Sequence, residues 1–360
     1  MSVISIVIVS FSLLGLLDKL CGDRFGLGKE FERAFELFAP VALSMIGILV
    51  LAPAIGVWLS PVFDWFYGVF HIDPSIIPAS LFANDMGGMT VSQQICKDPQ
   101  MGNFNAFIVS SMMGCVVSYT IPVGLGLVKQ TQHREMFFGL LCGIVTIPVG
   151  CLVSGLLCGL GLWAVVMNLL PLLVISAVIG TALLLIPDIC IRVFKVFGQL
   201  MRGLSLVGLG CAIFTFLTGR QINPHFDTLE NTAFICVNAC ITLSGALPFM
   251  FLMMKLLRRP VDKLGTKMGV NGTSALCLFS TLVSSTPVYG MMDRMDSKGV
   301  ALNAAFSVSA AFALGAHLAL TMVFDESYVV PMIVGKLISG LCGLALALVL
   351  YRDKAVTAEA

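Results

Sequence analysis

Nine apolar segments of about bilayer-crossing length dominate the chain: 2–20, 35–59, 104–128, 136–159, 162–187, 203–218, 231–257, 300–324 and 329–351. A hydrocarbon core of about 30 Å takes roughly 20 helical residues. Only helices and closed barrels satisfy their backbone polar groups there. Runs this long read as helices, since barrel strands would appear as short alternating segments. Hydrophobic residues fill 58% of the 360 positions and charged residues only 11%, against about 25% charged in soluble domains. A soluble globular enzyme is thereby excluded. With 21 basic and 20 acidic side chains, there is no basic field for nucleic acid. The expectation is an all-α polytopic membrane protein.

Two more segments are apolar but interrupted: 79–96 (ASLFANDMGGMTVSQQIC) and 274–292 (SALCLFSTLVSSTPVYGMM). Each is a full crossing or a re-entrant hairpin, and loop charge separates the options. With both re-entrant and the N-terminus outside, 18 of the 21 basic residues fall on the cytoplasmic side. Lys97 and Arg220 fall outside, and Lys336 lies within the last span. Two full crossings would turn 129–134, 192–195 and 255–267 outward. The positive-inside rule therefore predicts nine transmembrane helices plus two re-entrant hairpins, with the C-terminus cytoplasmic. Residues 60–71, with Trp65 and Tyr67, read as an outer aromatic belt. Residues 189–200 read as a helix lying on the inner surface.

The chain also repeats weakly on itself at an offset of about 195–199 residues. Pro53 answers Pro248, Asp98 answers Asp296, Asn105 answers Asn303, Tyr119 answers His317, and hairpin 79–96 answers the segment 277–294. An odd number of crossings separates the equivalents, so the halves are expected to be inverted. The organisation predicted is a first membrane repeat at 1–159, a linker span and interfacial helix at 160–200, a second, inverted repeat at 201–351, and a cytoplasmic tail at 352–360. Secondary transporters built this way bind substrate near the midplane, at broken elements.

Candidate chemistry sits in those elements. Asp85, in the stretch Asn84-Asp85-Met86-Gly87-Gly88, has no charged neighbour in sequence until Lys97. An intramembrane carboxylate is costly and is by default functional; it meets a cation or proton, or it caps the backbone of the hairpin. Gly87 and Gly88 allow a turn and close backbone approach. Ser284, Ser285 and Thr286, ahead of Pro287, either bind a hydroxyl or ammonium group or satisfy an unwound backbone. His317 relays protons, donates to a substrate or ties helices together. Tyr119 offers an aromatic face to an ammonium, or packs. Asn105 and Asn303 read as binding groups or helix caps, and Asp293 and Asp296 as surface salt bridges with Arg294 and Lys298. Lys336 reads as snorkelling or paired with a carboxylate. The twelve cysteines form no CxxC or zinc-like spacing. No nucleotide-binding, nucleophile-elbow or metalloprotease motif occurs. No cofactor and no metal are expected.

The stretches DMGG (85–88), SMMG (111–114), VTIPVGC (145–151), GMMDRMDSKG (290–299), FSVSAAFALG (306–315) and PMIVGKLISG (331–340) resemble the ethanolamine permease family of bacterial ethanolamine-utilization operons (EutH-type), over essentially the whole length. The resemblance implies a bacterial inner-membrane permease that delivers ethanolamine to a cytoplasmic lyase pathway, and not an enzyme. Ser284-Ser285 stand where that family is expected to carry an Asn-Asn pair, and Ala316 where an Asp precedes the histidine. On this reading Asp85 neutralises the ammonium and Tyr119 adds a cation–π face. Asn84, Ser284, Ser285, Thr286 and His317 meet the hydroxyl and the remaining N–H groups. The expected partners are a small amine and the lipid bilayer, with a homodimer posited as the assembly. An ion- or proton-coupled carrier of another small polar solute and an integral-membrane enzyme are the alternatives.

Overall fold

The computed structural model describes residues 3–351, and over them it contains helices and connecting turns without a strand. The expected tail at 352–360 lies outside the described residues. The order is α1 (Val3–Leu20), α2 (Leu27–Glu36), α3 (Phe38–Phe70), α4 (Ile76–Leu81), α5 (Gly88–Ile95), α6 (Pro99–Phe104), α7 (Ile121–Leu127), α8 (His133–Leu157), α9 (Leu162–Asn168) and α10 (Leu170–Leu185). Then come α11 (Pro187–Thr218), α12 (Leu229–Met268), α13 (Gly272–Thr281), α14 (Thr286–Gly290), α15 (Ser297–Ala310), α16 (Ala316–Phe324) and α17 (Val329–Leu350). Among the described residues seven helices are long and apolar enough to cross a membrane, or eight if α9 and α10, bent by 40°, form one span. The chain is a multi-pass membrane protein.

Several expectations need correction. The segment 300–324 is not one helix: it breaks at 311–315 between α15 and α16. Phe312 there takes the left-handed region, with φ 61°, a conformation that costs a non-glycine residue about 1–3 kcal/mol. Residues 60–71, read as an outer aromatic belt, are the end of α3 and its cap, with Trp65 and Tyr67 exposed. Residues 189–200 are the first half of α11, an unbroken helix of 32 residues. At 1.5 Å per residue that is about 48 Å, against a hydrocarbon core of about 30 Å. The surplus turns carry exposed Arg192 and Lys195. Between α6 and α7 the backbone widens into π-helix over Asn105–Gly114 and Val116–Thr120. Such widening is rare and frequently marks a functional segment.

Both interrupted segments form paired short helices around a break: α4 and α5 around residues 82–87, and α13 and α14 around 282–285. Their bases are held by matching latches. Asp73 accepts the backbone N–H groups of Ser75, Lys97 and Asp98, and Asn105 donates to Ser75 Oγ at 2.8 Å. In the other half Asn271 caps α13 through Ser274, and Asn303 donates to the Ser274 carbonyl at 2.9 Å. Asn105 and Asn303 are fully buried and neither is an N-cap; the N-caps are Asp98 on α6 and Asp296 on α15. Asp293 pairs with Lys129 at 3.3 Å rather than with Arg294 or Lys298, Asp296 caps α15 and forms no ion pair among the described residues, and Lys97 pairs with Asp64 at 2.5 Å. The bases of the two broken elements thus sit at opposite ends of the segment 99–127.

Helices cross where glycines remove the side chain. A Cβ on Gly47 of α3 would lie 1.6 Å from the Ser205 carbonyl of α11, and one on Gly245 of α12 would lie 2.1 Å from the Ile8 carbonyl of α1. At the first broken element, a Cβ on Gly114 would come within 2.0 Å of the Phe82 carbonyl, whereas Gly126 faces open space. Backbone cannot yield as a flexible side chain does, so Gly114→Ala is expected to destabilise the protein by about 1–3 kcal/mol, as overpacking does. Gly126→Ala should be neutral or slightly stabilising, because alanine favours helix. Thermal unfolding of the two purified variants in one detergent checks the contrast; equal melting temperatures would contradict the packing described.

Candidate functional site

The freed backbone at the breaks explains how the site is assembled. In the first break the Ala83 N–H donates to Ser118 Oγ at 2.9 Å. The Met86 and Gly88 N–H groups return to the Ala83 carbonyl at 3.0 and 2.9 Å, and Gly87 takes φ 86° to make that turn. In the second, the Leu282 carbonyl accepts from Leu314 N–H at 2.8 Å, and the Thr281 carbonyl accepts from Phe312 N–H at 3.1 Å. Two unwound segments therefore satisfy each other's backbone groups. A Cβ on Gly315 would lie 2.1 Å from the Val283 carbonyl, so this junction needs glycine.

The predicted residues fall around these breaks. Tyr119, from the widened segment, shares a hydrogen bond of 2.5 Å with Thr286 at the start of α14. Its ring meets Phe312 edge-on at 5.3 Å, and Phe312 in turn lies 5.2 Å from the His317 ring. Tyr119, Thr286, Phe312 and His317 thus join the widened segment to two broken elements. The turn Asn84–Met86 packs on α16 and α3, with Gly87 against Ile48.

Asp85 is half-buried at that turn. Among the described residues its carboxylate meets no hydrogen-bond donor beyond its own backbone, and no ion pair forms within 4.0 Å; the one other charge acting on it is Lys336. The turn is closed instead by Asn84 Oδ1, which accepts from the Asp85 N–H at 2.9 Å. Neither Asn84 nor Asp85 caps the short helices on either side of the turn. Asn84 Nδ2 and Ser285 Oγ are buried without a protein partner, although groups so placed are nearly always satisfied. Ser284 and Pro287 face the other side of the second break. They line a cavity of about 290 Å³ that reaches Glu30 and Arg33 of α2. Asp85, Tyr119 and His317 do not line it.

Sequence reasoning missed the role of Lys336. It is fully buried and neither snorkels nor pairs with a carboxylate. Its Nζ donates to the Ser111 carbonyl at 2.5 Å and to His317 Nδ1 at 3.1 Å. While Lys336 is protonated it has no acceptor capacity, so Nδ1 is then the acceptor and His317 carries its proton on Nε2. The signal available was a lone lysine in an apolar run, but helical periodicity cannot tell which distant segment it faces. Phe312 was missed as well, since nothing in FSVSAAFALG marks a left-handed residue. Among the described residues no group of His, Cys, Asp and Glu is arranged to hold a metal.

Comparison with known proteins agrees over the full length. The sequence model of the family described as ethanolamine utilisation protein, EutH, matches residues 1–350. A Listeria monocytogenes protein named "Probable ethanolamine permease EutH" is 36% identical over 346 residues, covering 96% of this chain and 93% of its own. An Escherichia coli K12 protein of the same name is 30% identical over 395 residues, covering 99% and 97%. A Bacillus subtilis protein, YxeR, whose name states no function, is 33% identical over 341 residues. No solved structure matches. The relatives that bear a functional name are named as permeases and not as enzymes. The chain belongs to the EutH family of ethanolamine utilisation proteins.

Proposed function

We infer that the chain is a permease for ethanolamine or a closely related small amino alcohol, bound near the midplane between the tips of two re-entrant hairpins. The observation that carries this reading is the unpaired Asp85 carboxylate, held at a break and beside the cluster of Tyr119, Thr286, Phe312 and His317. Ethanolamine presents one ammonium and one hydroxyl. Asp85 takes the ammonium, and the Tyr119 ring adds a cation–π face. Asn84, Ser285, Thr286 and His317 take the hydroxyl and the remaining N–H groups, with Ser284 and Pro287 on the inner approach. Gly87 and Gly88 let the backbone come close.

An inverted repeat places such a site between halves that rock about it. Support comes from paired features at a spacing of 197–198 residues: the latches at Asn105 and Asn303, the caps Asp98 and Asp296, and the crossings at Gly47–Ser205 and Gly245–Ile8. The reading assigns nine crossings in all, counting the broken pairs α9–α10 and α15–α16 as one each. The N-terminus lies outside, and the first repeat ends near residue 159. A homodimer is retained as the proposed assembly.

Two outcomes are expected. Asp85→Asn should lower ethanolamine uptake by well-folded protein in lipid vesicles at least about tenfold. Tenfold corresponds to about 1.4 kcal/mol, and losing a desolvated charge partner costs about 2–5. Near-normal uptake would return Asp85 to a structural role. Cysteines introduced singly at 97–103 and at 293–299 should label from opposite faces of the membrane, whereas labelling from one face would overturn the inversion.

A further inference from the structure

Lys336 lies on α17, fully buried, and its ammonium is held by one carbonyl and one imidazole rather than by a carboxylate. Charged groups at this depth are expensive and pair wherever a partner is in reach. The titratable groups that face it come from four elements: Asp85 from the first break, Cys115 from the widened segment, Cys151 from α8 and His317 from α16. Neighbouring α15 brings none to this level. Glu326 and Tyr328, in the turn before α17, lie eight or more residues along the helix, about 12 Å or farther. Asp85 is the one acid among the four groups. The buried region therefore holds one carboxylate and one ammonium, a sum of zero before any substrate enters.

A substrate ammonium at Asp85 changes that sum. Two cations would share one carboxylate in a medium that screens them poorly. The cheapest return to neutrality is loss of one proton. His317 Nδ1 is already an acceptor and has none to give there, and the substrate ammonium is held by the carboxylate. The proton that can leave is the one on Lys336 Nζ.

We propose that Lys336 is a proton-exchange site, so that each ammonium cation bound at Asp85 displaces one proton from Lys336, and the permease exchanges amine cation for proton without net charge movement. This rests on the permease reading above. On the outer side the substrate cation binds and Lys336 gives its proton to external water. On the inner side the substrate leaves and Lys336 takes a proton from internal water. The cycle carries one ammonium inward and one proton outward. No bond other than N–H is made or broken, and no further reactant is needed. Neutral Lys336 still donates to the Ser111 carbonyl, so the contact between α17 and the widened segment persists through the cycle.

The test uses the purified full-length chain in lipid vesicles, with radiolabelled ethanolamine and an internal pH dye, corrected for protein-free vesicles. Wild-type uptake should be indifferent to an imposed inside-negative potential and should remove one proton from the lumen per amine. Lys336→Gln keeps hydrogen-bonding capacity but has no proton to exchange, so its uptake should carry uncompensated charge. A potential of 100 mV is worth about 2.3 kcal/mol for one charge, so it should raise the accumulation ratio of this variant about 50-fold, with no proton movement. Wild-type uptake driven by the potential, or a Lys336→Gln variant as electroneutral as wild type, would overturn the proposal. If Lys336→Gln fails to fold, Lys336→Arg replaces it. A guanidinium stays charged, so ethanolamine should bind at least tenfold more weakly than to wild type; unchanged affinity would overturn the proposal. Absence of wild-type uptake above protein-free vesicles would instead remove the permease reading, and this proposal with it.

Discussion

A helix can be broken inside a bilayer only where protein meets the backbone groups that the break sets free. The whole architecture follows from that constraint. The first break leans on Ser118, and the second on the unwound backbone at 311–315. Each break lies against a neighbour pared down to glycine, Gly114 in one case and Gly315 in the other. Polar latches at Asn105 and Asn303 fix the bases of the hairpins, so that their tips are positioned rather than loose. The price of three unwound segments is offset by the polar backbone and the carboxylate that they bring together, where a long apolar helix would offer a ligand nothing.

Charge follows the same logic. Lys336 and Asp85 are close enough to act on one another but make no ion pair within 4.0 Å. A closed pair would leave the carboxylate occupied. The lysine is held instead on the Ser111 carbonyl and His317, which on the proposed reading keeps Asp85 available to an incoming cation while the region stays neutral. The π-helical widening that carries Ser111 and Tyr119 sits between these groups, so a change of packing at either tip acts directly on both.

Much of this was legible in the sequence because the signals were local. Glycine pairs, a proline after three hydroxyls and a lone aspartate mark breaks by residue type alone, and both interrupted segments were read from them. The span endings were less legible: α3 continues past Pro61, and α11 continues through an amphipathic stretch that suggested a surface helix, its Gly198 and Gly203 absorbed into one unbroken helix. The break at 311–315 was invisible, because FSVSAAFALG is good helical sequence and unwinds only where Thr281 and Leu282 supply the competing carbonyls. Asn105 and Asn303 were suspected as caps for the same reason: a helix-start asparagine looks like a cap until the partner at Ser75 or Ser274 is in place. Lys336 required knowledge of three segments more than 200 residues apart in the chain at their extremes, which no local pattern contains.

The site as described requires one substrate molecule to touch both tips at once. In a cysteine-free background, Met86→Cys on the first tip and Thr286→Cys on the second place one thiol on each side. The most direct measurement is protection of each thiol by ethanolamine against a small alkylating reagent. Both thiols should be protected with the same half-saturating concentration, because one binding event covers both. Protection of one tip alone, or of the two at concentrations that differ severalfold, would contradict a single site between them.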